Sequence, residues 1–551
     1  MKQRTRTTHT HVASSASHTL RRQLPIAGAL CLAGLGLAPS LVRAQATAPA
    51  TQPVPVTQTQ DAPPSPAPTV TEAPIAIVAA PVVVVPPPPP AAPVFVAPPA
   101  PPPPAPALPA GPPPGFNPVY TGSFFTRYEV RQGFEQLGAA PAARPRFQNG
   151  DAVYYRARFG FNTGMMGVGD DLKVGFQFTP QASGMMGALS NTLTDANLNL
   201  HEGYMRTQGS FVRVDAGRFE LNYGDALVLG NLDWNETGRS FDGVRARVSK
   251  GATSPWVDLF ATAISEGKAQ VPIYKVNDGD MYLLGAYAGL GSAIKAGLDL
   301  DVYLLEQVWA HTDQKLVVAG TTPPATYGRE GAAQTTLGAR TKQKVGIIDY
   351  RAEVGVQAGT RAGAIPTASA SAAPAKEQAN QKVLAYQGDV EVGVQAVPEK
   401  LRISLEGLYA SGDDPTTTDK NEGWDELYPT AHKFLGLSDA FVRGGQKRTD
   451  VASGVLHVVA TPMKNLAINL DGHIFARPEK LGTAPTAKKG MAGSEVDLGA
   501  AYTLTKGLKV RALYALFMPS EDFYPVGNLG KGVSPDPVHF GEVELRYDLA
   551  P

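Results

Sequence analysis

Ile348-Asp349-Tyr350-Arg351-Ala352-Glu353-Val354-Gly355-Val356-Gln357 places an apolar or aromatic side chain at every even number and a polar or small one at every odd number. In an extended strand successive side chains point to opposite faces, so this stretch has one greasy surface and one charged surface. The pattern recurs. Leu298, Leu300, Val302 and Leu304 alternate with Gly297, Asp299, Asp301 and Tyr303, and Val496, Leu498, Ala500, Tyr502 and Leu504 alternate with Glu495, Asp497, Gly499 and Thr503. From Phe116 onward there are about eighteen such segments of roughly ten residues, long, glycine-rich and numerous, as expected when lipid wets one face and water the other.

The gaps between segments strengthen this reading. After even-numbered segments they are short, as at Gln208-Gly209-Ser210, Pro398-Glu399-Lys400 and Thr505-Lys506. After odd-numbered segments they are long: 132–151, 181–197, 220–240, 265–279, 308–334, 359–382, 412–449, 477–493 and 518–538. Short turns on one rim and long loops on the other predict an all-β, antiparallel, up-and-down transmembrane barrel of about 18 strands, with both ends on the short-turn, periplasmic rim. No run of about 18 apolar residues suits a membrane helix beyond the N-terminal segment, and Ile75 to Ala97 is broken by prolines. A closed barrel is then the remaining way to span lipid with every backbone group paired.

Residues 1–46 read as a signal peptide: a basic stretch ending at Arg21-Arg22, an apolar segment from Leu24 to Leu41, and small residues around Ala44-Gln45-Ala46. The paired arginines suggest the twin-arginine route, but a barrel crosses the inner membrane unfolded, which favours general secretion. Residues 47–115 are rich in Pro, Ala and Val, with runs such as Pro86 to Pro90, and predict a disordered periplasmic spacer that cannot bury a core. In polyproline geometry it reaches on the order of 200 Å and could contact the cell wall. Residues 116–551 form the barrel. The sole cysteine, Cys31, lies in the export segment, so the mature chain has no disulfide, thiol nucleophile or Cys-based zinc site.

The 49 basic residues equal the 49 acidic ones in the full chain. Removing the six basic residues of the export segment leaves 43 against 49, a net charge of about −6. That balance excludes a nucleic-acid binder. On the polar parity, Arg127, Arg131, Arg156, Arg158, Lys173, Arg245 and Arg247 come from the first third of the barrel. Asp389, Glu391, Glu406, Asp471, Glu495, Asp497, Glu542, Glu544 and Asp548 come from the last third. One basic and one acidic wall would set a transverse field across a pore, with some charges pairing where first and last strands meet.

Two blocks carry a family resemblance. Gly217-Arg218-Phe219-Glu220-Leu221-Asn222-Tyr223-Gly224-Asp225 continues through Gly230-Asn231-Leu232-Asp233-Trp234-Asn235 to Gly238-Arg239-Ser240-Phe241-Asp242-Gly243-Val244-Arg245. Ala410-Ser411-Gly412-Asp413-Asp414 is followed by Tyr428-Pro429-Thr430-Ala431-His432-Lys433-Phe434 and Gly436 to Asp439. Both blocks resemble the alginate-export family of outer-membrane barrels. The resemblance implies an eighteen-stranded barrel with an arginine-lined constriction that passes a polyuronate. Arg218, Arg239 and Arg245, with Arg127, Arg156, Arg158 and Arg247, are then the candidate selectivity residues, since a guanidinium matches a carboxylate with forked donors. Glu220, Asp225, Asp233 and Asp242 are their candidate ion-pair supports. The same pairs would equally pin an in-folded loop, and Trp234 reads as a packing anchor.

In the second block, Asp413, Tyr428, Pro429, His432 and Asp439 form a loop motif. Its acidic residues fit no metal-loop spacing, and no serine elbow or paired-histidine motif accompanies His432. No catalytic residue, metal or cofactor is expected. The expected function is an outer-membrane channel for passive diffusion or export of polar solutes, anionic saccharides such as alginate-like polyuronates foremost. A general or small-anion porin, an adhesin-like barrel plugged by its own loops and a barrel hydrolase are the alternatives. Expected partners are membrane lipid, the barrel-assembly machinery and the solute.

Overall fold

The computed structural model describes residues 115–137, 149–187, 196–251, 254–265, 280–310, 312–318, 325–329, 331–362, 380–414, 416–417, 419–443, 448–479, 489–520 and 536–549. The export segment and all but the last residue of the proline-rich spacer lie outside these residues. Eighteen long strands form the wall. They are β1 (Val119–Gln132), β2 (Gly150–Asn162), β3 (Lys173–Gly187), β4 (Ala196–Gln208), β5 (Val212–Phe219), β6 (Phe241–Ser249), β7 (Trp256–Ser265), β8 (Met281–Gly289) and β9 (Asp299–Trp309). The second half comprises β10 (Ala332–Val345), β11 (Ile348–Ala362), β12 (Asn380–Val397), β13 (Leu401–Ala410), β14 (Val451–Met463), β15 (Leu466–Arg477), β16 (Gly490–Thr505), β17 (Leu508–Pro519) and β18 (Val538–Leu549).

Each strand pairs antiparallel with its neighbours in sequence. β1 closes the ring on β18, with Gly122 opposite Leu549 and Gln132 opposite His539. Closure leaves no edge, which is the condition for crossing lipid with strands. Short extra strands (Met166–Gly167 and Lys420–Asn421) and a small hairpin (Thr312–Val318 with Ala325–Arg329) decorate the wall. The strand pairing puts both ends of the barrel on the short-turn rim, because β1 begins where β18 finishes.

The alternation read from the sequence governs which side chains face out. Leu304, Leu337, Val354, Leu384, Leu405 and Leu498 are exposed on the outer face. Their neighbours Asp301, Glu353, Gln357, Asp389, Glu406 and Asp497 are buried on the inner one. The Leu298 segment is shorter than expected, starting at Asp299.

The inner surface departs from a simple wet lumen. Two long loops, L3 (220–240) and the described residues of L7 (411–450), fold inward and bury their apolar side chains against inward-facing wall residues. L7 and strands β12 to β18 build one cluster around Trp424, Phe434, Phe441, Phe475 and Phe517, and L3 builds another with Phe241, Phe260, Tyr287 and Tyr303. Each aromatic ring buried this way contributes on the order of 2–3 kcal/mol, enough to hold a long loop inside the barrel.

Candidate channel constriction

L3 leaves β5 at the long-loop end, pairs Asp225 with Arg340 of β10 (2.7 Å), and returns to set its tip against the wall around the seam. Its tip is anchored there by arginines of β1, β2 and β18. Arg156 donates from Nη2 to Asp233 Oδ1 (2.9 Å) and from Nη1 to the carbonyls of Asp233 (2.9 Å) and Asn235 (3.0 Å). Arg158 Nη1 reaches the same carboxylate at 2.8 Å, and Arg546 Nη2 reaches Asp233 Oδ2 at 2.6 Å. Burial pushes the Asp233 carboxyl up, but Arg156, Arg546 and Arg158 outweigh it and hold the group below the usual carboxylate range. The loop passes so close to Arg158 that a Cβ on Gly238, at φ +64°, would lie 2.2 Å from Nη2 and push the guanidinium out of place, which glycine avoids.

Trp234 follows. Its indole ring stacks on His432 of L7 at 3.8 Å, and the Arg127 guanidinium lies 4.3 Å from the ring centroid. Arg127 also donates to the Trp234 carbonyl (2.7 Å), and the indole Nε1 donates to Glu542 (3.3 Å). Those contacts tie the L3 tip, through Trp234, to both L7 and the wall.

L3 and L7 are joined through their backbones. Gly230 N donates to the Tyr428 carbonyl (2.8 Å), Tyr428 N to that of Val228 (2.9 Å) and Thr430 N to that of Ala226 (2.9 Å). Arg239 is the side-chain rivet: its Nη1 donates to the carbonyls of Gly230 (3.2 Å) and Pro429 (3.0 Å), and it lies over the Tyr428 ring. Burial pulls its guanidinium down to about 10 despite the nearby Glu426. Further along L7, His432 pairs with Asp439 (3.0 Å), while Leu437 N and Ser438 N bond to Asp497 and Glu495 of β16. Gly436, at φ +85°, is needed there because a Cβ would sit 2.6 Å from the Glu495 carboxylate. Asp413 accepts from Glu422 N (3.0 Å) and shapes the base of L7.

The joined loops separate two polar cavities. The one toward the long-loop rim, about 590 Å³, is lined by Arg131, Tyr154, Trp234, Arg239, Glu426 and His432 among others. The one toward the short-turn rim, about 850 Å³, is lined by Lys342, Arg351, Arg402, Glu406, Lys433 and Asp471 among others. Asp225 and Lys433, from L3 and L7, both line the second cavity. Asp225 is held below the usual carboxylate range, because Arg340 and Lys342 outweigh the burial that pushes it up.

Several residues fall elsewhere than the sequence reading placed them. Arg218 was expected in the lumen. It shares the outward parity of Val212, Val214 and Ala216 and forms a bidentate pair with Asp242 (2.7 and 2.6 Å), at 40% and 55% side-chain exposure. Asp242 therefore supports an outer-face arginine, whereas Asp233 is held by Arg156, Arg158 and Arg546. Arg245 and Arg247 do face inward, but each is matched by a buried carboxylate, Asp215 at 2.7 Å and Asp258 at 2.6 Å. Glu220 accepts from His201 (2.6 Å) and from Asn231 (2.9 Å), with Arg158 at 3.9 Å.

The expected separation of basic and acidic walls resolves into locally neutralised pairs. Arg127 bonds to Glu129 (2.8 Å) and lies 3.8 and 3.6 Å from Glu542 and Glu544 across the seam, while Arg351 binds Asp389, Glu391 and Glu406 together. Arg546, Arg340 and Asp215 escaped the sequence reading. Their inward parity, shared with Glu544, Thr336 and Arg213 on the same strands, was the available signal.

A family model, described as alginate export, matches residues 194–524, more than half of the sequence and the whole of L3 and L7. The chain belongs to the alginate-export family. Curated proteins yield no sequence match for it. Among solved structures, this alginate-export barrel is similar to Pseudomonas aeruginosa OpdK, solved with vanillate, at 12% identity over 79% of this chain and 100% of that one, with a TM-score of 0.50. It is also similar to P. aeruginosa OccK5 (10% identity, 79% and 99% covered, TM-score 0.49) and to OccK2 in complex with glucuronate (11%, 79% and 99%, TM-score 0.48). The first likeness supports the barrel fold. Family and fold together make this an outer-membrane channel protein of the bacterial outer membrane. Among the described residues, no group of three or more His, Cys, Asp or Glu side chains could hold a metal ion.

Proposed function

We propose that this alginate-export barrel is a passive channel for polar solutes bearing carboxylates, saccharide acids being the favoured class. The observation that carries the proposal is the convergence of Arg156, Arg158 and Arg546 on a single carboxylate at the constriction, Asp233. A site that holds one carboxylate by forked, charge-assisted hydrogen bonds has the chemistry to recognise another. The short-turn rim faces the periplasm in this reading, with residues 1–46 removed on export and residues 47–115 spacing the barrel from the cell wall.

Reversal potentials in planar bilayers, with liposome swelling in isosmotic glucuronate and glucose, test it. Anion selectivity and faster entry of glucuronate than glucose are expected. Cation selectivity, or faster glucose entry, would overturn the reading. A second reading, a barrel plugged by its own loops, draws on the backbone pairing of L3 with L7, and its signature is the lack of any steady ion current.

A further inference from the structure

The strain in this backbone is unevenly placed. Among the described residues, six that are not glycine have positive φ: Ala226, Leu232, Glu399, Leu427, Asp439 and Asp450. Five of them lie in L3 or L7, and Leu232, at φ 54°, immediately precedes Asp233. Such conformations cost free energy and persist only where surrounding contacts over-determine them. The contacts that over-determine the L3 tip are the arginine bonds to Asp233 and Asn235 together with the Trp234 stack.

Those arginines are incompletely used. Arg156 is wholly buried with Asp233 as its carboxylate partner, yet its Nε has no acceptor, and neither has Nη2 of the 9%-exposed Arg158. Buried guanidinium donors without acceptors are costly, so the site is better satisfied by more oxygen than L3 supplies. Asp233, by contrast, keeps 32% of its side chain exposed, so a dissolved anion has access to the carboxylate it would replace.

We infer that Asp233 is a tethered stand-in for the solute: it occupies the arginine site of the constriction, and an incoming carboxylate competes it off, releasing the strained L3 tip and widening the passage. The idea rests on the carboxylate-channel reading and adds to it a latch that the solute itself opens. Neutral solutes have no means of displacing Asp233, so the constriction stays narrow for them. Selectivity then arises from opening as well as from passage.

Single-channel recording on the mature chain in planar bilayers tests this, with sodium glucuronate and glucose as probes in potassium chloride. For the unaltered protein, glucuronate shifts occupancy toward a larger conductance level and glucose does not. Asp233→Asn occupies that level without any solute and ignores glucuronate, its ratio of large to small levels raised by about tenfold or more, the factor carried by one charge-assisted hydrogen bond. Arg546→Gln, which removes one of the three legs, falls between the two. Asp242→Asn, on the outer face, behaves as the unaltered protein. Heat-modifiable migration on gels establishes that each variant is a folded barrel. Equal conductance in Asp233→Asn and the unaltered chain overturns the latch, as does a glucuronate response that survives in Asp233→Asn. Anion selectivity of the unaltered channel reads the parent proposal separately, so the latch can fail while the carboxylate channel stands.

Discussion

Asp233 and Asp242 lie nine positions apart in one motif, and each meets arginine, in opposite surroundings. Asp233 is carried across the lumen by L3 and receives three guanidiniums from two other strands. Asp242 stays on the wall, faces outward and pairs with Arg218 of the adjacent strand, 55% exposed. The first pair fixes a long loop against its own strain; the second ties two strands already tied by their backbones. A motif that looks uniform in sequence is thus divided by the wall into an inner mechanism and an outer trim, and equal substitutions on the two sides should have unequal consequences.

The largest consequence belongs to the wall itself. Leu498 on β16 is exposed outward while its neighbour Asp497 is fully buried inward. Leu498→Arg should cost roughly 2–4 kcal/mol, as for a charge near the middle of the lipid face, read by urea-dependent folding into lipid vesicles. A cost near zero would mean that this face is wet and would break the inside–outside contrast. Next comes the L3 anchor. Trp234→Ala removes a stack on His432 and a desolvated cation–π contact with Arg127, together on the order of 2–3 kcal/mol of loop docking. It should raise single-channel conductance while leaving the folding midpoint of the wall almost unchanged.

How much of this was legible follows from the physics of each part. Lipid outside and water inside force a period of two on every strand, and an up-and-down outer-membrane barrel alternates short turns with long loops, so strands as far apart as β1 and β18 could be read from their residues alone. L3 and L7 carry no period. Their inward fold depends on contacts such as Trp234 with His432 and Asp233 with Arg546, more than three hundred positions apart in the second case, and nothing local encodes them. Arg218 is a different case. Val212, Val214 and Ala216 share its parity, so its outward direction was written in β5; reading it as lumenal let the family motif override the alternation that had established the fold.

Acidity offers a subtler probe of the inner side. Asp450 sits at the base of L7, where burial pushes its carboxyl up to about 6 and it accepts a bond from Glu479 N (2.7 Å). A folded-state value above the unfolded one, about 3.9, means that the native protein holds this proton more firmly. The stability so gained is complete below the unfolded value and is lost as pH rises through about 6. Urea midpoints should therefore fall between pH 4.5 and pH 7, and Asp450→Asn should flatten that part of the profile. A profile unchanged by the substitution would assign the pH dependence to other carboxylates.

The smallest effect is expected at Arg218 and Asp242, and it is the one that most sharply separates the two sides of the wall. Arg218 and Asp242 sit at the long-loop ends of β5 and β6, at the rim where the outer face meets water. The pair therefore gains little from Coulomb attraction and gives up side-chain freedom to form, so even good bidentate geometry contributes less than about 1 kcal/mol. Arg218→Ala should leave the folding midpoint within that range. Because its guanidinium points away from the lumen, reversal potential and glucuronate entry should also stay as in the unaltered protein, whereas Arg156→Ala, inside the same wall, should change both. If Arg218→Ala instead shifts the reversal potential toward cations, then the outward parity of β5 is not the arrangement that the working channel uses, and the division drawn between Asp233 and Asp242 fails with it.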